Sequence, residues 1–292
     1  MLVYGDLNMV EMILAELQRV ELAILKDVAA FCDINNIRYY LGGGTLLGAV
    51  RHQGFIPWDD DIDISMPRPD YNRFISTYNG YNENYEVKAI EIDGRYWRTF
   101  AKVFDKRTYL KENAIYIEKP GNAVFIDVFP IDGLPDSTLS QIKLFKEQEF
   151  LNFLYHGSAW NYTKSYKYND SDSPFSKLKG YLRTLFKFIA ISILRPLPTH
   201  RIIRMINENA SKIPYDEAKF IGVIVDCAHG ASREKIEKDI FEPRISFDFA
   251  GEKFWGPKGF DVYLSNLYGN YMKMPNEKSR KTHHDFTGYW KE

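Results

Sequence analysis

The sequence predicts an α/β (α+β) protein, in which a mixed β-sheet is flanked by helices and carries a helical insertion. Apolar residues recur every three or four positions across residues 9–34, which predicts a long amphipathic helix. β-branched and aromatic residues dominate short segments between residues 85 and 129, which predicts a sheet. A mostly helical stretch at 175–207 follows. No internal repeat is apparent, so repeat architectures are excluded.

The elements of the first part of the chain follow one another closely. Asn8 with Glu11 resembles a capping box at the start of the first helix, and Asn35 and Asn36 supply a left-handed stop at its end. The segments after it are predicted to be a strand at 37–41, a glycine turn at 42–44, a helix at 45–52, a strand at 61–66 and a helix at 69–78 with Pro69 at its first position.

The middle of the chain is predicted to supply most of the sheet. Asp93 and Gly94, between two strand-like segments, form a hairpin signal, and residues 123–129 are predicted to be a further strand. The pattern becomes helical at 137–155. The polar segment 158–174 is the best candidate for a mobile loop or a domain junction.

Composition and charge narrow the class of protein. With 45% hydrophobic and 26% charged residues, the chain is an ordered globular protein, not a disordered, collagenous or coiled-coil one. A net charge of -1 gives no global basic field, so we expect no nucleic-acid partner. Cys32 and Cys227 are too few for a disulfide framework. Without a signal peptide or a run of about 18 apolar residues, we expect a cytoplasmic protein.

The strongest chemical signal lies in the strand predicted at 61–66. Because side chains alternate along a strand, Asp61, Asp63 and Ser65 are expected on one face, with Ile62 and Ile64 on the other, packed into the core. Two carboxylates are thereby predicted to share one side of the sheet.

Asp59 and Asp60 bring the number of acids in this segment to four within five residues. Repulsion between such neighbours near a surface costs on the order of a kcal/mol per pair. A divalent cation would remove that cost, and oxygen ligands without cysteine suit Mg²⁺ or Mn²⁺. The cluster therefore predicts a metal site.

The glycines before this cluster suggest a phosphate site. Gly42, Gly43 and Gly44 let a backbone approach a phosphate, the following helix turns its N-terminal amides toward it, and Thr45 adds a hydroxyl. The segment lacks both the GxGxxG of dinucleotide-binding folds and the GK[ST] of a P-loop, so neither fold is predicted.

The run GGGTLLGAVRHQGFIPWDDDIDI resembles the signature of the LicD family, whose fold is similar to that of the nucleotidyltransferase superfamily. The resemblance continues through FIDVFPIDGLP (125–135) and WGPKGFDVYLSNLYGNYMKMP (255–275) to Arg280 and His283-His284. Members are understood to transfer a phosphoalcohol, such as phosphocholine, from a CDP-activated donor to a glycan hydroxyl.

The resemblance implies roles for particular residues. Asp61, Asp63 and Asp127 would be the metal ligands, and Asp127 would alternatively be the general base. Either Asp59 or Asp60 would be able to replace one of these ligands, so the choice among the acids stays open. The phosphate-cradling turn would consist of Gly43, Gly44 and Thr45.

Further basic residues are candidate phosphate contacts. Arg51 and His52 end the short helix, where a structural role beside the helix dipole is an equal alternative. Lys102 is predicted to share a strand face with Arg98, where a solvated sheet face is the other interpretation.

Other polar positions have simpler interpretations as well. Arg280 and His283 have either a phosphate-contact or a structural role. Asp132 is interpreted as a turn former.

Residues 175–207 contain seven basic and no acidic side chains. Two interpretations stay open for this stretch. It either lies on an anionic membrane surface or packs its apolar side on the core as a helical hairpin. The first would place a cytoplasmic enzyme at the inner face of the membrane.

Together these observations predict a LicD-type catalytic domain over residues 1–292. Its core spans about 9–157, the helical insertion about 175–212, and a C-terminal segment returning to the core about 215–284. The partners predicted are a CDP-alcohol donor, CDP-choline being favoured, and a free or lipid-linked glycan of a teichoic acid, lipopolysaccharide or capsule. The alternatives are a DxD glycosyltransferase and a homologue that binds nucleotide or glycan without turnover.

Overall fold

The computed structural model describes residues 10–112, 123–159, 174–226, 231–277, 280–282 and 286–291. The helices in these ranges are α1 (Leu14–Ile34), α2 (Gly43–His52), α3 (Arg68–Thr77), α4 (Thr138–Ala159), α5 (Pro174–Leu194), α6 (Thr199–Ala210), α7 (Ala231–Glu234), α8 (Lys238–Phe241) and α9 (Phe260–Tyr268). The strands are β1 (Val10–Glu11), β2 (Tyr40–Leu41), β3 (Asp63–Pro67), β4 (Tyr85–Lys88), β5 (Ala101–Asp105), β6 (Thr108–Glu112), β7 (Phe125–Leu134), β8 (Phe220–Gly222), β9 (Ile236–Glu237), β10 (Arg244–Phe249), β11 (Glu252–Pro257) and β12 (Phe286–Trp290).

A seven-stranded mixed sheet forms the centre of the protein. Five strands lie in the order β2-β3-β7-β5-β4, and β8 and β9 extend the sheet from the C-terminal part of β7. Strands β3 and β7 are parallel, whereas the other neighbours are antiparallel. Helices α1 and α3 pack against these strands. The predicted α+β class, a mixed sheet flanked by helices, is confirmed.

Helix α1 covers the sheet with the apolar stripe that the sequence predicts, and it contacts β5 and β7. It begins at Leu14 rather than at residue 9, because the preceding residues form β1, which pairs with β12. Asn36 has a φ of 50° and provides the predicted left-handed stop. Asn8 of the predicted capping box lies outside the described residues.

The predicted hairpin turn at Asp93-Gly94 is wrong. Strands β4 and β5 do pair antiparallel, but residues 89–100 join them in place of a two-residue turn. The chain leaves the sheet after Lys88, where the Asp93 amide donates to the Ala89 carbonyl in a local turn. Both predicted strands are shortened as a result.

The turn predicted at Asp132 is also wrong, because β7 continues unbroken through it. The buried Asp132 carboxylate accepts two hydrogen bonds from Arg68, from Nε and Nη2, each 2.7 Å long. Such a bidentate pair is a strong, geometrically specific interaction. Asp132 therefore ties β7 to the start of α3.

The helical predictions for the second half are confirmed with small shifts. The helix predicted at 137–155 is α4, and the stretch 175–207 contains α5 and α6, separated at Pro196 and Pro198. Helix α4 contacts both of them. Most of the predicted loop, residues 160–173, lies outside the described residues. Within the ranges that the structure describes, no helix combines the length and hydropathy needed to cross a membrane.

The C-terminal elements surround α2. The antiparallel hairpin β10–β11 contacts α2 through β10 and contacts β2 through β11, and α9 packs directly on α2. The glycine-rich start of α2 is therefore enclosed by chain from both ends of the sequence.

Candidate active site

Three charged side chains stand side by side across the central sheet. Asp63 of β3 is opposite Asp127 of β7, and Asp127 is opposite Lys102 of β5. Directly opposed residues project from the same face of a sheet. Lys102 Nζ lies 2.6 Å from Asp127 Oδ1, and both side chains are buried. We call Asp63, Asp127 and Lys102 the charged row.

The alternation of side chains along the strands explains why the charged row stays in register. The adjacent residues Ile64, Val128 and Ala101 project to the opposite face, where Val128 is opposed to the other two and all three are fully buried. Slipping any strand by one residue would move apolar side chains out of the core. The apolar residues thus set the register that aligns the charges.

The solvated sheet face that was one interpretation of Lys102 is not observed. Its side chain is buried, and Nζ lies 3.3 Å from the centroid of the Phe125 ring in addition to its contact with Asp127. Arg98 does not share its strand, because β5 begins at Ala101. The Arg98 guanidinium instead lies 4.0 Å from the Trp97 ring centroid.

Asp59, Asp60 and Asp61 lie in the loop before β3. The strand begins at Asp63, so the strand alternation expected to place Asp61 on the face of Asp63 does not apply. One carboxylate oxygen from each of the three loop residues lies within 4.8 Å of the others. The Gln18 amide of α1 donates to the Asp59 carbonyl at 2.8 Å and holds this loop against the helix.

The glycines at the start of α2 adjoin these carboxylates. A Cβ at Gly43 would lie 2.9 Å from Asp63 Oδ2, and one at Gly44 would lie 2.9 Å from Asp59 Oδ2. Gly43 also has a φ of 43°, which disfavours other residues. The helix begins at Gly43 instead of residue 45, so the predicted glycine turn is in fact its first turn.

Thr45 is buried in this first turn. Its Oγ1 accepts a hydrogen bond of 2.8 Å from the Asp63 amide. This contact joins α2 to the first residue of β3. Thr45 thereby sets where Asp63 stands, and a phosphate contact for its hydroxyl remains a prediction.

Glu21 of α1 is an acid at this site that sequence analysis missed. It is 1% exposed, and its Oε2 has no hydrogen-bond partner among the described residues. Burial raises its pKa well above the ordinary value, and the charges of Asp61, Asp60 and Asp59 raise it further. An acidic residue inside the apolar stripe of α1, directly after Val20, was the available signal.

Burial, together with repulsion between neighbouring acids, disfavours ionised carboxylates on this side of the sheet. Burial raises the pKa of Asp63 well above its ordinary value, the charges of Asp61, Asp127 and Asp59 add to the rise, and Lys102 partly offsets it. Carboxylate oxygens, an orphaned buried Glu21 oxygen and the absence of cysteine among them fit a hard divalent cation such as Mg²⁺ or Mn²⁺. The residues present therefore fit the predicted metal.

Arg51 and His52 lie at the far end of α2. Arg51 Nη1 donates to the Tyr271 carbonyl at 2.8 Å, and Nε contacts His52 Nδ1 at 3.4 Å. Burial and the neighbouring Arg51 charge lower the pKa of His52. Asp59 lies within electrostatic reach of Arg51. A structural role for Arg51 is therefore visible, while phosphate binding by either residue stays a prediction.

Arg280 lies near the acidic loop. Its guanidinium is 5.6 Å from the ring centroid of Trp58, the residue before Asp59, and its Nε donates to the Pro275 carbonyl at 3.1 Å. His283, the other predicted contact of this segment, lies outside the described residues, as does His284.

Two tyrosines of α9 complete the wall around Gly43. The Gly43 amide donates to Tyr263 Oη at 3.4 Å, and Tyr268 Oη lies 3.7 Å from the position of a Cβ at Gly43. Burial raises the pKa of Tyr268, and Asp63 raises it further. Burial also raises the pKa of Tyr263, so both hydroxyls stay protonated.

A second set of titratable groups adjoins the other end of the charged row. Burial raises the pKa of Asp226 to about 6, and Asp127 raises it while Arg98 and Lys102 lower it. Burial lowers the pKa of His156 to about 4, and the Arg98 charge contributes. Neither residue stands out in the sequence, because no local pattern indicates a contact between segments this far apart along the chain.

Comparison with known proteins gives matches along most of the chain. Residues 36–179 match the family model described as LicD/FKTN/FKRP, nucleotidyltransferase domain. The lipopolysaccharide cholinephosphotransferase LicD of Haemophilus influenzae is 31% identical over 282 residues, covering 94% of this chain and 97% of that protein. An uncharacterized protein of Rickettsia typhi is 32% identical over 124 residues, covering 42% of this chain and 38% of its own. The human ribitol 5-phosphate transferase FKRP is 46% identical over 39 residues, covering 13% of this chain and 8% of its own.

Proposed function

The chain belongs to the LicD family and is a phosphotransferase, and from this premise we propose that it transfers phosphocholine from CDP-choline to a hydroxyl of a cell-surface glycan or its lipid-linked precursor. The observation that carries the proposal is the meeting of the glycine-rich start of α2 with Asp63 and Asp59, next to Asp127. This arrangement joins anion-binding amides to metal-binding acids, which phosphoryl transfer requires.

The start of α2 supplies the donor site in this proposal. The first hydrogen bond of the helix runs from the Leu46 amide to the Gly42 carbonyl, so the amides of Gly44 and Thr45 precede the intrahelical ladder. Such amides bind phosphate oxygens at a helix N-terminus. Arg51, His52, Arg280 and His283 are proposed as further contacts to the donor.

The acids hold the metal in this proposal. Asp61, Asp63 and Asp127 are the proposed ligands of Mg²⁺ or Mn²⁺, and Asp63 and Asp127 are paired across β3 and β7. Asp59 and Asp60 are the alternatives, because one carboxylate oxygen of each lies within 4.8 Å of one from Asp61. A bound divalent cation supplies charge neutralisation on the diphosphate and on the departing nucleotide. Glu21 lies within electrostatic reach of these acids, and its raised pKa keeps it protonated unless a cation binds beside it.

Asp127 is proposed as the general base, as the alternative to its role as a metal ligand. The glycan oxygen forms a bond to the phosphorus that carries choline, the bond from that phosphorus to the bridging oxygen breaks, and CMP leaves with the electron pair. The hydroxyl proton passes to Asp127, whose ion pair with Lys102 holds the carboxylate in place. Lys102 is thus a positioning residue for the base.

The proposal is tested by product analysis with the purified chain and Mg²⁺. CDP-choline, CDP-glycerol and CDP-ribitol are each incubated with lipopolysaccharide or teichoic acid acceptors, and CMP release is measured. We expect acceptor-dependent CMP release that is greatest with CDP-choline and is abolished by EDTA.

Two outcomes would replace this proposal. Release of UDP from a nucleotide sugar, with no CMP from any CDP-alcohol, would identify a DxD glycosyltransferase. Thermal stabilisation by a CDP-alcohol without turnover on any acceptor would identify a binding protein. The match to a cholinephosphotransferase over 94% of the chain favours the transfer reaction over both.

A further inference from the structure

Helix α5 carries its apolar side away from the protein. Six apolar side chains retain 42% to 77% of their accessible surface, namely Phe175, Leu178, Leu182, Leu185, Ile189 and Ile193. Their spacing of three, four and seven residues places them along one side of the helix. An exposed contiguous apolar face on this scale marks an interaction surface. We call these six residues the outer face of α5.

The opposite side of α5 faces the protein and is not its most apolar side. Gly180 and Ile191 are buried, and Thr184 and Lys187 between them are partly buried, at intervals of four, three and four residues. At 3.6 residues per turn, Ile189 lies about half a turn from Gly180 around the helix. An ordinary surface helix packs its apolar stripe on the core, whereas α5 directs its most apolar side toward solvent.

The two helices of the basic stretch match different interpretations. Helix α6 buries Ile202, Ile203 and Ile206 and contacts α4, as a packed helical hairpin requires. Packing of the apolar side of α5 on the core is wrong, because that side is exposed. The outer face lies between basic residues: Lys177, Lys179 and Arg183 are all exposed. Long basic side chains beside an apolar face reach the headgroup level when such a helix lies in a bilayer surface.

The charge of this region favours an anionic bilayer over a second copy of the chain as the partner of the outer face. Residues 175–207 carry seven basic and no acidic side chains, so a second copy docked on this face would bring like charges together. An anionic bilayer supplies both an apolar layer for the outer face and negative headgroups for its basic flanks. The four charges of α5 exclude a crossing orientation and leave one in the plane of the surface.

We propose that α5 is an in-plane membrane anchor, which inserts its outer face into the headgroup layer of an anionic bilayer and holds Lys177, Lys179 and Arg183 against anionic lipids. The proposal is independent of the reaction that the charged row performs. A lipid-linked acceptor would, however, be met at the same surface.

Vesicle flotation of the full chain tests this anchor. The two vesicle compositions are phosphatidylcholine alone and phosphatidylcholine with phosphatidylglycerol, each at low and at high salt. We expect binding to the anionic vesicles at low salt and weaker binding at high salt. The double variant Leu182→Glu/Ile189→Glu should lose at least about tenfold in partitioning. Lys179→Gln/Arg183→Gln should lose about fivefold per charge removed.

Leu139→Glu is the matched control, because Leu139 is also highly exposed but lies in the first turn of α4. It should bind vesicles like the unmodified chain, and circular dichroism should show every variant folded. Equal recovery in the supernatant with and without anionic vesicles would overturn the anchor. So would an oligomer that the Leu182→Glu/Ile189→Glu variant dissociates while vesicle binding is absent throughout, since a second copy would then cover the face.

Discussion

The centre of the sheet and helix α5 depart from ordinary burial in opposite directions. In the charged row and its surroundings, Lys102, Asp127 and Glu21 are almost completely buried. Along α5, the large apolar side chains of the outer face are exposed. Ordinary folding free energy opposes both arrangements, since buried charges lose hydration and exposed apolar groups order water.

The difference between the two regions underlies the two binding proposals made for them. A cation would offset the repulsion among the buried acids at the sheet centre. Because such a cation also binds substrate phosphates, this region suits metal and phosphate chemistry. An exposed apolar face flanked by basic groups is relieved by an apolar layer with negative headgroups. In the isolated chain, the first region holds buried acids without a bound cation, and the second exposes apolar side chains to water. A cation would stabilise the first, and an anionic bilayer would stabilise the second.

The largest expected effect comes from removing one acid of the sheet centre. Asp63→Asn should lower turnover on the order of a thousandfold or more, because a metal-binding carboxylate contributes several kcal/mol to the transition state. Stability should be unchanged or higher, since burial and neighbouring acids raise the pKa of Asp63 and a neutral amide avoids that repulsion. CMP release and thermal unfolding measure both quantities.

Asp248→Asn is the matched control for this variant, because Asp248 is an exposed acid of the β10–β11 hairpin. It should leave both turnover and unfolding unchanged. Near-normal turnover by folded Asp63→Asn protein would show that this acid has no part in catalysis.

Breaking the buried ion pair tests whether burial itself sets the cost of a charge. Lys102→Met should lower the free energy of unfolding by about 3 to 5 kcal/mol, because Asp127 is left buried beside Asp63 without its cation. In the exposed pair of Lys253 with Asp248, the Nζ–Oδ1 distance is 2.9 Å. Lys253→Met should change the same quantity by about 0 to 1 kcal/mol. Similar losses in the two variants, measured by urea unfolding, would refute the contrast.

The buried acid Glu234 gives a pH test of the same idea. Burial raises its pKa from 4.5 to about 8, with a contribution from Asp226. Its contribution to stability is therefore complete below pH about 4.5 and is lost as the pH rises through about 8. The unfolding free energy should fall by a few kcal/mol across this window, at about 1.4 kcal/mol for each pKa unit.

Glu234→Gln should flatten this pH dependence, because the amide has no proton to lose. Glu237→Gln, at an exposed position of β9, is the control and should keep the slope of the unmodified chain. A slope that survives in Glu234→Gln would assign the pH dependence to another group.

The smallest effect is expected on the outer face of α5. Leu182→Ala should change the unfolding free energy by no more than about 0.5 kcal/mol, because Leu182 is exposed and alanine suits a helix. Ile191→Ala, on the side facing the protein, should cost about 2 kcal/mol or more. Equal losses at the two positions would show that the outer face is covered in the folded protein.

Much of the fold follows from local pattern. Apolar periodicity identified α1, because a long amphipathic helix repeats its signal over many turns, and the helical patterns at 137–155 and 175–207 correspond to α4 and to α5 with α6. The hairpin at Asp93-Gly94 and the turn at Asp132 failed for a shared reason. Turn propensity is weak, and packing of residues 89–100 and the pair of Asp132 with Arg68 override it.

Some residues of the candidate site could be predicted from the sequence, and others could not. Asp63 and Asp127 were identified from strand alternation and from a family resemblance, and the sheet places them side by side. Glu21 and Asp226 were missed, since each looks ordinary within its own segment. The partner of Lys102 was likewise not predictable, because only the pairing of β5 with β7 brings it to Asp127.

By itself, the sequence determined the element types, the acidic segment beside the glycines and the basic, acid-free character of residues 175–207, because these depend on near neighbours along the chain. Only the tertiary structure decided that Lys102 neutralises Asp127, that Glu21 lies within electrostatic reach of the acidic loop and that α5 presents its apolar side outward. Strand register and helix rotation arise from the packing of the whole core. Neither the strand register nor the helix rotation can therefore be read from the sequence of a single segment.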